Sequence, residues 1–241
     1  MTDLAATLSA GIDEMVQATD RLLETVDRMT EDQLGQPSLL PDWTRGHVLT
    51  HIARNADALA NLAYAARTGE DREMYEGGRD GRSAEIEAGA GRHLGDQRLD
   101  LADSAERLLQ AFADFPDDGL VREVSMTSGA SAYGWEIPHL RVREVEIHHA
   151  DLGLGFGPAD WPAEFAARTL DQLAPLFRNA RECPVGTLVA TDVGGSWEVA
   201  ADGPELAGPV RELTAWLVGR SDGRGLRLST AGDVPAAPHW A

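Results

Sequence analysis

The stretch Pro138-His139-Leu140-Arg141-Val142-Arg143-Glu144-Val145-Glu146-Ile147-His148-His149-Ala150-Asp151-Leu152 decides how the first part of this 241-residue chain is read. Pro138 suits the first turn of a helix, where its missing N–H has no partner to lose. The pattern then predicts one helix running to about Leu152. On it Glu144 and His148 stand four apart on one face, with Cβ atoms ~5–6 Å apart, so both can reach a single ion. Leu140, Glu144, His148 and Asp151 form a stripe that puts polar groups where a bundle helix would carry apolar ones. Buried polar groups need partners, and a metal ion supplies one. Asp151, three residues past His148, is placed to accept the second ring N–H of a metal-bound imidazole and fix its tautomer. Glu146 and His149 point elsewhere and read as ordinary surface groups.

Working outward, the segment Trp43–Arg67 predicts another long helix, with Asp42 as its N-cap and Val48, Leu49, Ile52, Ala56, Leu59, Leu62 and Ala66 on one stripe. It carries His47 and His51, again four apart. Either would complete a set of two histidines and one glutamate, which leaves a coordination position open as in catalytic zinc sites. The spacing does not choose between them. Leu4 to about Met29 and Ser83 to about Phe115 read as two further helices, the latter weakened by glycines. Four long helical segments predict an up-down bundle over residues 1–153, with sites built from facing side chains.

The Gly- and Pro-rich run Gly153–Pro162 reads as a linker. Residues 154–241 read as a small α+β domain, so the fold class of the whole is α+β. Trp161–Ala180 and Pro209–Val218 are its expected helices. Gly186–Asp192 and Ser196–Ala201 are expected strands joined by the turn Val193-Gly194-Gly195, and Leu226–Ser229 is a third candidate strand.

The net charge of −19 argues against phosphate backbones and anionic lipid surfaces as partners, so neither nucleic acid nor membrane is expected. An anionic substrate would need locally concentrated arginines. The chain has no lysine, which removes Schiff-base chemistry and a lysine base. Its single cysteine, Cys183, allows no internal disulfide and no cysteine-based zinc motif, and reads as structural. The N-terminus lacks a basic start and an apolar core, and no apolar run reaches ~18 residues. A cytoplasmic protein acting as a monomer is the expectation.

Two motifs carry a resemblance. Asp42-Trp43-Thr44-Arg45-Gly46-His47-Val48-Leu49-Thr50-His51 resembles the tryptophan-to-histidine signature of the DinB-like, mycothiol-dependent enzymes. Arg143–Leu152 resembles their second signature, R-E-x-x-x-H-x-x-D-L. The resemblance implies zinc as the metal, with His51 rather than His47 as a ligand, and Glu144 and His148 as the other two. Glu73-Met74-Tyr75, Arg82–Ile86, Gly219–Gly223 and the tail Asp233–Trp240 are similar to the mycothiol-dependent maleylpyruvate isomerases of that superfamily. Those enzymes convert maleylpyruvate to fumarylpyruvate in gentisate-type aromatic degradation. Rotation about a carbon–carbon double bond is blocked until thiolate addition makes it single, so mycothiol is the implied cofactor and maleylpyruvate the implied small-molecule substrate. Arg220, in the segment similar to the family's glycine-arginine run, is the implied catalytic and substrate-binding arginine, gripping a carboxylate. Arg82 is a secondary substrate-binding candidate. Trp43, Tyr75 and Trp216 are candidates either to line a pocket or to pack the core. The alternatives on the same residues are a mycothiol S-transferase or other thiol-dependent detoxification enzyme, and a zinc sensor closed by a fourth ligand such as His47.

Overall fold

The computed structural model describes residues 3–180 and 183–237. The end of the proline-rich tail, Pro238-His239-Trp240, lies outside the described residues. Two compact units divide the chain, Met1–Gly155 and Phe156–Ala241.

The first unit is built on four long helices: α1 (Leu4–Asp27), α3 (Arg45–Thr68), α5 (Leu94–Ala111) and α7 (Ile137–Asp151). Short helices α2 (Glu31–Leu34) and α6 (Asp117–Leu120), helix α4 (Gly78–Ala90) and the hairpin of β1 (Glu123–Ser125) with β2 (Ser131–Tyr133) connect them. Helix α3 packs on α5 and α7, and α1 packs on α7 and α5, which closes a four-membered bundle. Leu22, Val26, Leu49, Ile52, Leu101 and Val145 fill its interior.

Three expectations are corrected here. The single helix expected from Ser83 to Phe115 is two, α4 and α5, separated at Gly91-Arg92-His93. The glycines of α4 are not merely weak helix formers, because this short helix lies hard against α3. A Cβ on Gly46 would stand 2.1 Å from the Ala90 carbonyl oxygen, and one on Gly89 2.5 Å from the Thr50 methyl. Second, Thr44 rather than Asp42 caps α3. Its side chain accepts the His47 N–H, while Asp42 sits in the left-handed region at φ 64°. Third, Glu146 and His149 are not surface groups; both are about 98% or more buried. Helix α7 is covered on nearly every side, so its polar residues face inward and find partners there. Glu146 pairs with Arg21 of α1, and His149 Nε2 lies 2.8 Å from Thr25 Oγ1.

In the second unit, α8 (Ala163–Ala180) and α9 (Val210–Leu217) pack with a four-stranded sheet of order β4-β3-β5-β6. Strands β3 (Thr187–Ala190) and β4 (Ser196–Glu198) form the expected antiparallel pair, Leu188 opposite Trp197. Strand β5 (Glu205–Gly208), not anticipated, runs parallel to β3, and β6 (Arg227–Leu228) closes the other edge. Phe165, Leu170, Phe177, Leu188, Leu206 and Trp216 are its buried core. Trp216 is thus a core residue, its indole N–H donating to the Pro235 carbonyl at 2.8 Å. No helix among the described residues is long and apolar enough to cross a membrane.

Candidate metal centre

The centre is assembled where α3 and α7 cross. Thr44 starts α3 so that His51 falls two turns in, on the face turned to α7 and 2% exposed. Arg141 ties the two helices together, its Nη1 donating to Ile52 O at 2.7 Å and to Asn55 Oδ1 at 2.9 Å. That clasp lies one turn from both His51 and Glu144.

Among the described residues, His51, Glu144 and His148 form the one set of three or more metal-ligating side chains, with ligand atoms within 4.8 Å of one another. Both imidazoles bring Nε2 to the same carboxylate oxygen. His51 Nε2 is 3.2 Å and His148 Nε2 3.7 Å from Glu144 Oε2. The two rings meet edge to face, with centroids 4.5 Å apart. Asp151 Oδ2 lies 2.8 Å from His148 Nδ1. A carboxylate there accepts the Nδ1 proton, which leaves the Nε2 lone pair of His148 aimed into the site.

The electrostatics suit a cation. Burial, then the nearby His148, pushes the His51 imidazole down to about 4, so it is neutral at pH 7. Burial, the largest single influence on Glu144, pushes its carboxyl up. The hydrogen bond to His51 and the charges of His148, His51 and Arg143 outweigh it and hold the group below the ordinary carboxylate range. Two imidazoles with a carboxylate are the donor set a divalent first-row metal takes. Arg82 Nη2 lies 3.1 Å from His51 Nδ1. A guanidinium only donates, so Nδ1 accepts and the ring proton resides on Nε2, toward Glu144. A metal ion held by His51 would take the place of that proton, so loading would release it.

His47 stands apart from this group. Its Nδ1 lies 3.2 Å from the Thr44 N–H and 2.7 Å from Thr44 Oγ1, and its Nε2 3.6 Å from Glu87. It completes the cap of α3, and Trp43 stacks on its ring. Arg82 lies closer to the centre than its sequence position suggested, over the ring of buried Tyr75, with the guanidinium 5.9 Å from the centroid. Arg220 belongs to the second unit, just past α9, where its Nη1 donates to the Val218 carbonyl at 2.6 Å. Cys183 is half-buried in the second unit, and burial pushes its thiol up, away from the reactive thiolate form. Asn55 and Arg141 carry no motif that marks them in the sequence. Their positions, four after His51 and three before Glu144, were the available signal.

The profile of the mycothiol maleylpyruvate isomerase N-terminal domain matches residues 15–153, which takes in all three clustered side chains. The chain belongs to the mycothiol maleylpyruvate isomerase family. The match to solved structures extends over the second unit as well. A crystal structure titled as the mycothiol-dependent maleylpyruvate isomerase is 27% identical and superposes with a TM-score of 0.90, covering 100% of both chains. A histidine-to-alanine mutant of an isomerase so titled is 26% identical, with a TM-score of 0.89 and the same coverage. A search of the curated proteins finds no match. For a member of this family, an Asp151→Asn variant is expected to keep its fold and bind metal ~10–100-fold more weakly, because His148 loses the acceptor that fixes its tautomer. Competition with a chromophoric chelator measures this; unchanged affinity would detach Asp151 from the centre.

Proposed function

We propose that this protein is a mycothiol-dependent cis–trans isomerase that converts maleylpyruvate to fumarylpyruvate. The observation that carries the reading is a donor set of two histidines and one glutamate with no fourth protein ligand among the described residues, in a chain similar end to end to isomerases of that title. His51, Glu144 and His148 would hold a divalent ion, zinc in the first instance. Bound there, such an ion supplies an open Lewis-acid position at which a thiol is held as its thiolate.

The chain's own residues have separable tasks. His51, Glu144 and His148 would hold the ion, and Asp151 fixes His148. Arg220 binds a substrate carboxylate with paired N–H donors and stabilises the negative charge that thiol addition develops on the substrate. Arg82, beside His51, adds positive charge at the centre of a strongly acidic protein. Adding the thiolate to the double bond, rotating and eliminating it returns the thiol unchanged, so turnover needs the thiol but does not consume it.

The test is the Arg220→Ala variant, assayed with metal and mycothiol present. Its metal content is expected to equal that of the unaltered protein, while kcat/KM for maleylpyruvate falls ~10²–10³-fold, the size of one lost oxyanion-type donor. Full activity in this variant, with conjugation of uncharged electrophiles to the thiol, would instead show a mycothiol S-transferase on the same scaffold.

A further inference from the structure

Arg141 is among the largest fully buried side chains of the protein, 1% exposed. Only its Nη1 is hydrogen-bonded, to the neutral acceptors Ile52 O and Asn55 Oδ1. Its buried Nε–H has no acceptor among the described residues, and Glu144 and Asp57 act on the guanidinium only through their charge, without a hydrogen bond to it. Burial pushes this guanidinium down, but only to about 10, so it keeps its charge at neutral pH. A buried, charged group without an ionic partner is costly.

The same side chain lies on the wall of a crevice between α1 and α5, with a cavity volume of about 170 Å³. Its walls include Val16 and Leu23 of α1 and Ala102, Ala105 and Leu109 of α5, all only half-buried. Contacts between α1 and α5 are the sparsest of the four sides of the bundle. The crevice opens to solvent between Asp20 and Glu106, both exposed. It therefore presents a cation at its inner end, apolar walls along its length and two carboxylates at its mouth. Binding sites that accept amphiphilic small molecules have this layout, mostly apolar with a few fixed polar groups.

We propose that this crevice is a second ligand site, separate from the metal centre, that takes a monocarboxylate with a compact apolar body. The ligand carboxylate supplies the ionic partner Arg141 lacks, and the apolar body fills the space between α1 and α5. A cavity of ~150 Å³ holds a benzene ring, so benzoate matches the available volume. The acidic mouth disfavours a second carboxylate at the far end of the ligand. This selects against dicarboxylates such as the substrate proposed for the metal centre.

The experiment uses the full-length, metal-loaded protein, with benzoate and its uncharged analogue toluene as probes. Benzoate at a hundred times its dissociation constant is expected to raise the melting temperature by about 5–10 °C. Arg141→Met keeps the volume of the side chain and removes its charge. It is expected to weaken benzoate at least tenfold by calorimetry and to leave toluene within about twofold, because the lost interaction is charge-assisted. Ala105→Phe fills the crevice from α5 and is expected to abolish binding of both probes, with metal content unchanged. A crystal soaked in benzoate is expected to show the carboxylate on Arg141 and not on the metal. The proposal is overturned if benzoate has no effect on the unaltered protein, which would mean a water-filled crevice. It is equally overturned if binding survives Ala105→Phe and disappears on metal removal, which would place benzoate at the metal centre. Neither result bears on the isomerase reading, which the Arg220 variant tests separately.

Discussion

His51→Ala is expected to remove the metal and the turnover together. At a free metal concentration that fills the unaltered protein, occupancy in the variant is expected below ~10%, and kcat at least ~10³-fold lower. Three side chains among the described residues would hold the ion, and of these His51 is the one on α3. Without it Glu144 and His148 remain, both on α7, and a pair four residues apart on one helix is a weak chelate. Trp43 stands beside the space left, its ring centroid 5.7 Å from that of His51, and an indole supplies no metal ligand. His47→Ala is the control. His47 completes the capping box of α3 through Thr44, so its loss is expected to cost ~0.5–1 kcal/mol of stability and leave metal content intact. Elemental analysis and initial rates on the two variants separate the roles. Full occupancy in His51→Ala, or metal loss in His47→Ala, would reverse the assignment of the two histidines.

That contrast also marks how far the sequence reads. Helical spacing put His47 and His51 on one face and left them equivalent, because both are four-residue neighbours near the same apolar stripe. What distinguishes them is the point at which the helix begins. Thr44 as N-cap puts His47 in the first turn, where its ring serves the free N–H of Thr44, and puts His51 in the second turn, facing α7. The family resemblance made the choice that periodicity could not. Glu144, His148 and Asp151 were legible because all three lie within two turns of one helix, and local spacing governs their contacts. Glu146 and His149 were misread for the opposite reason: their burial depends on Arg21 and Thr25, more than a hundred residues away. Strand β5 escaped for a similar cause. Glu205–Gly208 is short, bounded by prolines and glycine, and becomes a strand because β3 lies parallel on one side of it and β6 antiparallel on the other, pairings that local sequence does not encode. The split of α4 from α5 was visible as glycines, but their purpose required the position of α3.

Arg21→Met is expected to destabilise the protein by ~2–3 kcal/mol at pH 7, a loss of ~5–10 °C in melting temperature. Glu146 is 1% exposed, and Arg21 is the ionic partner that reaches it from α1. Breaking a fully buried pair by removing one partner costs ~3–5 kcal/mol. Here the figure is reduced, because the Arg21 side chain is 37% exposed and water screens its contribution. The reverse variant, Glu146→Gln, is expected to cost less, since Arg21 is 37% exposed and can turn its charge to solvent while Glu146, 1% exposed, cannot. The pH dependence identifies the cause. Burial already pushes the Glu146 carboxyl up, against the pull of Arg21, and without Arg21 it rises further. The folded variant then binds a proton more readily than its unfolded chain does, so the deficit relative to the unaltered protein shrinks as pH falls from 7 toward the ordinary carboxylate range. His51 works the other way in both proteins. Its imidazole is held neutral, down to about 4 from 6.5, so stability falls as pH drops through that window, and the term cancels in the difference. Chemical denaturation of the two proteins at pH 7 and pH 5 measures it. A deficit that is the same at both pH values would mean that α1 has repacked around a shorter contact, and that the charge of Glu146 is not what Arg21 is there to meet.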